Sequence, residues 1–423
     1  PPQTRATRSP PRPRRSSWLP HTPRTPTVPQ LDEMGIHGLT KLIGDNAPEA
    51  MKTDGKIDNY FGRKIAIDAS MAIYQFLIAV RQAGGEGQLT NEAGEVTSHL
   101  TGMFYRTIRM LEAGIKPVFV FDGKPPTLKG GQLAKRKERQ AAAEAELQKL
   151  QTEGGSAEDI ERQQKRTVRA TRDQSEEVKK LLVLMGVPVV DAPCEAEATC
   201  AALSKAGLVY ATGTEDMDAL TFATPVLVRH LNEAESRKKP IFEFNLQRVL
   251  EGMQLSMDQF IDVCILCGCD YVDSIKGIGP TTALKLVREH GAMEGVLEHL
   301  KAKGTVLPDP FPYEEARTLF KSPEVIETSG LELKWTEPDV EGLTSYLVDE
   351  KQFAAERVKK AIERLQKCKE KKSQGRLESF FGATTVISSE KALKRKQAEQ
   401  DAKNKKNAPK GLAKNVNKKT KAR

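Results

Sequence analysis

Seven carboxylates stand in five short blocks of this 423-residue chain: Asp68 in KIAIDAS, Asp122 in VFVFDGKPP, Glu195 and Glu197 in DAPCEAEA, Asp216 and Asp218 in TEDMD, and Asp270 in CGCDY. A site built from carboxylates, without imidazole or thiolate ligands, is a hard oxygen site. It selects magnesium, with manganese as a substitute, over zinc or copper. Seven acids suffice for two ions about 3.5–4 Å apart, some held directly and some through water. Such a pair clamps the attacking and leaving oxygens of a phosphodiester and activates the attacking water. Taken singly, each acid reads equally well as a helix N-cap or a partner of a helix dipole. The metal reading rests on the set.

The cations that would meet a phosphate lie close by. Residues 123–172 are poor in large apolar side chains and dense in Lys and Arg, with a helical pattern broken near Gly154-Gly155. This predicts a basic helical cap above the acids; a solvated, salt-bridged helix pair is the plainer alternative. Lys129 and Arg136 are seven residues apart, two helical turns, so one face can present both. Their candidate role is to hold and polarise the scissile phosphate, Arg as a fork and Lys as a point charge. Plain solvent exposure is the competing reading. Gly277-Ile278-Gly279-Pro280, between two helical patterns, is a helix-hairpin-helix signature. Its glycines would let backbone N–H groups approach duplex phosphates without reading sequence. A monovalent cation on the hairpin carbonyls would fit the same turn. Gln374-x-x-Leu377-x-x-Phe380-Phe381 sets two adjacent aromatics in a polar tail with no core to join. That spacing suits a helical turn that plugs an apolar pocket on a partner protein.

The elements that must position these groups alternate. KIAID (64–68), PVFVF (117–121), VPVVD (187–191), LVYAT (208–212) and PVLVRH (225–230) read as strands. Ile73 to Val80, Met103 to Leu111, and the stretches beginning at Ser175 and Glu195 read as helices. Residues 256–300 read as helical, interrupted by SIKGIGP. Apolar strands alternating with helices predict an α/β fold with a mainly parallel central sheet flanked by helices. Ligands of such sheets bind beyond the carboxyl ends of the strands. Asp68, Asp122 and the acids of TEDMD follow predicted strands, so they should converge on one edge.

Composition frames the rest. The net charge of +9 is uneven: residues 391–423 carry +11 and residues 1–33 carry +4, which leaves 34–390 at −6. An acidic body that handles phosphate needs cations. No apolar run reaches the roughly 18–20 residues of a membrane span, and no signal-peptide pattern opens the chain. The six cysteines are expected as free thiols. Cys264, Cys267 and Cys269 lack a second pair to complete a zinc site, and Cys264 falls at core helical spacing. Residues 1–33, with nine prolines and six arginines, predict a disordered extension. It is either non-native sequence or an organelle transit segment; the prolines oppose a targeting helix, and Met34 reads as the natural start. The expected divisions are 34–140 and 159–290 for two regions of the folded body, the second with the hairpin. A helical part at 291–370, the aromatic motif at 373–382 and a disordered basic tail at 383–423 complete them.

MGIHGLTKLI, FGRKIAIDASMAIYQFL, FDGKPPTLK, DAPCEAEA, TEDMD and GCDYVDSIKGIGP together resemble the structure-specific 5′ nucleases, most closely the eukaryotic flap endonucleases, from about Met34 to Phe381. The resemblance implies that the seven acids are ligands of two Mg2+ ions and that Lys129 and Arg136 act on the phosphate. Tyr74 would stack on the base near the cut. Arg81, Arg106 and Gly268 would contact DNA, as would Glu195 and Asp270 in the site and Gly277 and Gly279 in the hairpin. QGRLESFF resembles the motif that binds the trimeric sliding clamp, proliferating cell nuclear antigen. A monomeric nuclear enzyme is implied, present in nucleoplasm and nucleolus with the mitochondrion as a further site. It would remove 5′ flaps in Okazaki fragment maturation and long-patch base excision repair, with weaker 5′-3′ exonuclease activity. Related nucleases with a very long insertion between Asp122 and Glu195 fit less well, since about 70 residues separate the two here. A clamp-bound scaffold would be expected to lack one of the acids, and a ribonuclease would not need the duplex-binding hairpin. In the family the chain start packs near the active site, so the residues ahead of Gly35 depart from the pattern.

Overall fold

The computed structural model describes residues 35–82, 97–231 and 239–370. Its sheet has seven strands: β1 (Met51–Gly55), β2 (Lys64–Asp68), β3 (Lys116–Phe121), β4 (Val189–Asp191), β5 (Ala211–Gly213), β6 (Val226–Arg229) and β7 (Ile241–Asn245). They lie in the order β1-β7-β6-β5-β2-β3-β4. The β4-β3-β2-β5-β6 run is parallel. β7 turns antiparallel to β6 and to β1, so the sheet is mixed and mostly parallel. From β2 the chain moves outward through β3 and β4, then returns to the other side of β2 as β5. The carboxyl ends of β2 and β5 therefore flank a topological switch point, where open α/β sheets hold their ligands.

The described helices are α1 (Leu39–Asn46), α2 (Ala69–Gln82), α3 (Ser98–Glu112), α4 (Gly130–Glu153), α5 (Ala157–Arg166), α6 (Arg172–Leu184), α7 (Ala196–Lys205), α8 (Asp218–Thr221), α9 (Leu246–Met253), α10 (Met257–Cys267), α11 (Pro280–His290), α12 (Met293–Ala302), α13 (Tyr313–Lys321), α14 (Val340–Thr344) and α15 (Ala355–Glu370). Alternate strand residues feed opposite layers. Ile65 and Ile67 pack with α2, α3, α6 and α15, whereas Ala66, Val118 and Val120 pack with Ala196, Cys200 and Leu203 of α7. Burial on both faces explains why these strands read as unbroken apolar runs. On the α7 side the core continues through α1 and α9 to α13. All six cysteines are free, and Cys264 is fully buried in that core. No described helix is long and apolar enough to cross a membrane.

The sheet departs from the sequence reading in three places. The strand expected at 208–212 begins only at Ala211, because Leu208 N–H bonds back to Leu203 C=O and wraps the end of α7. The strand expected at 187–191 begins at Val189. β1 and β7, which periodicity did not single out, pair in register Lys52↔Glu243, with an ion pair of 2.5 Å between those side chains.

α2 and α3 touch at Gly102, where an added Cβ would lie 2.1 Å from the Phe76 ring. Phe76 also carries the Arg106 guanidinium 5.0 Å above its ring. Alanine in a helix interior ordinarily gains about 0.5–1 kcal/mol over glycine. Here overpacking, which costs about 1–3 kcal/mol, outweighs that gain. Gly102→Ala should therefore destabilise the protein in denaturant titration; a stabilised variant would refute this close packing.

Candidate active site

The sheet's carboxyl edge gathers the acids as its topology requires. Asp68 ends β2, Asp122 follows β3, and Asp216 and Asp218 follow β5. Glu195 and Glu197 open α7, and Asp270 follows α10. Asp68 is buried; its Oδ1 accepts the Met71 N–H at 2.9 Å and its Oδ2 accepts the Thr214 hydroxyl at 3.2 Å. Asp122 Oδ1 accepts the Ala196 N–H at 2.8 Å. The helix-capping reading is thus correct for Asp68, which takes an N–H of the helix that follows it; Asp122 caps no helix of its own and instead bonds the start of α7, whose N-cap is Glu195. Asp216 Oδ1 accepts the Asp218 N–H at 2.9 Å, while Asp218 Oδ1 is buried with no hydrogen-bond partner. Glu215, between strand and pair, is directed away: it accepts His230 N–H at 2.7 Å and lies 3.5 Å from Arg229.

Crowding of like charge shapes the electrostatics. Burial, then the Asp122 and Asp216 charges, pushes Asp68 up to about 7. Burial raises Glu197 well above the usual carboxylate range, with Glu195 and Asp122 adding to it. Asp218 is raised likewise by burial and by Asp216 and Asp270. Asp216 and Glu195 are also raised, burial first. Asp270 moves the other way: burial opposes its charge, but Lys129 and Arg136 hold it below the ordinary range.

Those two cations are the cap's contribution. Lys129 Nζ donates to Glu195 Oε1 and lies 3.0 Å from Asp270 Oδ2; Arg136 Nη2 donates to Asp270 Oδ1 at 2.6 Å. Lys129 is 13% exposed, so the solvent-exposed alternative fails for it; Arg136 is 44% exposed. Burial would favour neutral Lys129, yet Glu197, Asp270 and Glu195 hold it charged well above its usual range. Gln132, a turn before Arg136, and Lys135, directly before it, bond Asp273 at 2.7 and 2.5 Å. The cap breaks at Gly154, whose φ of 80° ends α4 before α5 begins.

Among the described residues no three His, Cys, Asp or Glu side chains are gathered as the ligands of one metal ion. A closed zinc-type cage is not what these acids build. Magnesium keeps several waters and takes one or two carboxylates plus phosphate oxygens, and the all-carboxylate set with an orphaned Asp218 oxygen fits that demand. Cys200 and Cys269 nearby are kept protonated by burial and by the acids, so they offer no thiolate.

The remaining predicted residues lie on α2, on α3 and in the stretch from α10 to α11. Tyr74, half-buried on α2, packs against the core. Arg106 on α3 reaches the Ala72 C=O at 3.5 Å, on the same α2 surface. Gly268 ends α10 with φ 89°. Gly277 (φ 86°) and Gly279, which precedes Pro280 at the start of α11, have open space where a side chain would lie, as a backbone docking turn requires. Arg81 lies in α2 with its side chain outside the described residues; Gln374, Leu377, Phe380 and Phe381 lie outside them too.

One neighbour follows from the family resemblance, and one escaped residue-type reasoning. Gly35, buried with φ 74°, lies so close that a Cβ would stand 2.1 Å from Asp216 Oδ1 and 2.9 Å from Asp218 Oδ1. Tyr271 donates its hydroxyl to Glu195 Oε2. The signal for Gly35 was the family's chain start beside the site; for Tyr271 it was only adjacency to Asp270.

The raised acids give a signed expectation. A carboxyl whose folded pKa lies above its unfolded value destabilises the fold at high pH; this cost shrinks as pH falls below the folded value and is gone only below the unfolded one. Relative to Asp68→Asn, metal-free protein should therefore lose stability as pH rises from about 3.8 to about 7 and match it only below about 3.8. Asp218→Asn should raise the metal-free melting temperature at neutral pH by roughly 2–6 °C. Calorimetry without metal checks both; a lower melting point for both variants would refute the repulsion.

Two family models match the chain: the XPG N-terminal domain over residues 34–143 and the XPG I-region over 186–270. Flap endonuclease 1 of Micromonas commoda is 58% identical over 367 residues, covering 87% of this chain and 94% of that protein. Flap endonuclease 1 of Xenopus tropicalis is 56% identical over 375 residues, covering 89% and 96%. Among solved structures, flap endonuclease-1 from Methanococcus jannaschii superposes with a TM-score of 0.60 at 34% identity, over 78% of this chain and 99% of that one. The catalytic core of Rad2 in complex with a DNA substrate gives 0.61 at 26% identity, over 78% and 100%. With this identity carried across both matched regions and the acid-lined switch point, the chain belongs to the flap endonuclease family of XPG nucleases.

Proposed function

We propose that this chain is a magnesium-dependent nuclease that cuts 5′-flap DNA near the flap base, with weaker 5′-3′ exonuclease activity. The observation that supports it most is the pairing of Lys129 and Arg136 with Glu195 and Asp270. It sets two phosphate-binding cations over a cluster of hard oxygen donors. Asp68, Asp122, Glu195, Glu197, Asp216, Asp218 and Asp270 would hold two Mg2+ ions, or Mn2+ in their place. Bound there, the ions supply Lewis acidity at both oxygens of an in-line displacement. The chain's own residues do the rest. Lys129 and Arg136 exchange their carboxylate partners for the non-bridging oxygens of the scissile phosphate, and thereby orient it and offset its developing charge. Tyr74 stacks on the base beside the cut, and Arg81 and Arg106 hold the adjoining backbone. Gly268, Gly277 and Gly279 let the hairpin backbone meet duplex phosphates, with a monovalent cation on its carbonyls. The single-stranded 5′ end passes beneath α4 and α5.

Gln374, Leu377, Phe380 and Phe381 dock on the sliding clamp, proliferating cell nuclear antigen, in a protein acting as a monomer in nuclear replication and long-patch repair, with the mitochondrion as a second location. The divisions 34–140, 159–290 and 291–370 belong to the same proposal.

The full chain should cut a labelled 5′-flap duplex in magnesium, and neither in EDTA nor on a matched 3′ flap. Tight flap binding with no cutting of any substrate would assign a scaffold instead. Lys129→Ala and Arg136→Ala should each lower the single-turnover rate about 10²–10³-fold, read under saturating enzyme so that binding does not contribute. Wild-type rates in both would remove the cap from the chemistry. Phe380→Ala with Phe381→Ala should abolish binding to the clamp in a pull-down; retained binding would place that contact elsewhere.

A further inference from the structure

Glu195 divides its two oxygens between two partners: Oε1 takes the Lys129 ammonium and Oε2 takes the Tyr271 hydroxyl. Tyr271 is only 5% exposed, so the phenol is a built contact and not a solvated neighbour. Its ring leans on Phe320 of α13 with centroids 5.0 Å apart, and Phe320 meets Phe222 at 5.1 Å. Phe222 in turn donates its N–H to the Asp218 C=O at 2.9 Å, where α8 ends. A continuous train of buried rings therefore runs from the Glu195 carboxylate to the helix that carries Asp218. Phe320 lies outside both matched family regions, and Tyr271 stands one residue beyond the second.

A carboxylate has one free rotation about its terminal bond, and that rotation decides which oxygen faces a cation. With Oε2 fixed by the hydroxyl, Oε1 is turned to the place where Lys129 Nζ stands, 3.0 Å from Asp270 Oδ2. Positive charge is held there, between two acids, by an amine that also belongs to the cap. We infer that Tyr271 is a positioning residue: it locks Glu195 in the orientation that receives a divalent cation, and Phe320 and Phe222 keep the phenol at fixed distance from α8. The inference rests on the proposed metal dependence of this site. Outer partners that orient a ligating carboxylate typically contribute about 10–100-fold to metal affinity. A tyrosine that only fills the core would contribute nothing through its oxygen.

Tyr271→Phe keeps the ring train and deletes the oxygen. Mn2+ binding to the full chain without DNA, read from the electron spin resonance of free Mn2+, compares wild type, Tyr271→Phe, Glu195→Gln and the double variant. Tyr271→Phe should bind the weaker ion at least about tenfold less tightly. The double variant should bind no less tightly than Glu195→Gln alone, because the hydroxyl acts through that carboxylate. Unchanged affinity in Tyr271→Phe, including when only its melting temperature falls, would overturn the inference. Full additivity with Glu195→Gln would overturn it too. Wild type that binds no Mn2+ would fail the metal reading itself, and this inference with it, a result distinct from equal binding by wild type and Tyr271→Phe.

Discussion

Like-charge crowding at the carboxyl edge of the sheet is the constraint on which this structure turns. Two unit charges 4 Å apart repel by about 4 kcal/mol at the effective dielectric of a protein surface region. A whole domain is stable by only about 5–15 kcal/mol. Asp68, Glu195, Glu197, Asp216 and Asp218 are all buried, and each is raised by at least one other acid of the site. They cannot all be ionised without help. The chain supplies that help in graded form: backbone N–H groups of Met71 and Ala196, the Thr214 hydroxyl, protons taken up by the acids themselves, and two cations from the cap.

Topology is what makes the crowding unavoidable and also tolerable. β2 and β3 are buried on both faces, so neither carries a buried charge until its last residue or just beyond. The acids can then appear only at the carboxyl edge, and the switch between β2 and β5 opens that edge. Helices begin there, and their unpaired N–H groups favour negative charge. The same geometry that concentrates the repulsion therefore supplies its first relief. The Gly35 backbone seals the edge beside Asp216 and Asp218, where only a residue without a Cβ fits.

Much of this is legible in the sequence, for identifiable reasons. β2 and β3 can be placed within a residue because burial on both faces leaves a continuous apolar signature. The acids can be placed on one edge because strand ends and topology are linked by rule. The capping alternative is right at Asp68, whose Oδ1 takes the Met71 N–H of the helix that follows it, and not at Asp122, whose partner Ala196 is 74 residues away. What escapes depends on contacts between distant segments. β1 is the polar stretch MKTDG, an edge strand with little apolar pattern, defined by its pairing to β7 some 190 residues away. Leu208 looks like strand because it is apolar, but its N–H is committed to ending α7. Tyr271 is ordinary in type, and only the folded chain brings it against the acids. Asp273, which anchors Gln132 and Lys135, is hidden for the same reason.

The division of charge among the acids also bears on how the cap and the site are coupled. Asp270 is the one acid of the set held below its usual range, and it is the one that both cap cations touch. Its neighbours are pushed up instead, and so stand ready to give up protons to any stronger source of positive charge. A cation of higher charge arriving at the cluster would ionise them and weaken the claim of Lys129 and Arg136 on their present partners. Those side chains would then be free for a phosphate at the moment the acids no longer need them. On the proposed function, phosphate capture by Lys129 and Arg136 and filling of the acidic cluster would be linked by a single quantity, the number of negative charges left uncompensated at the carboxyl edge.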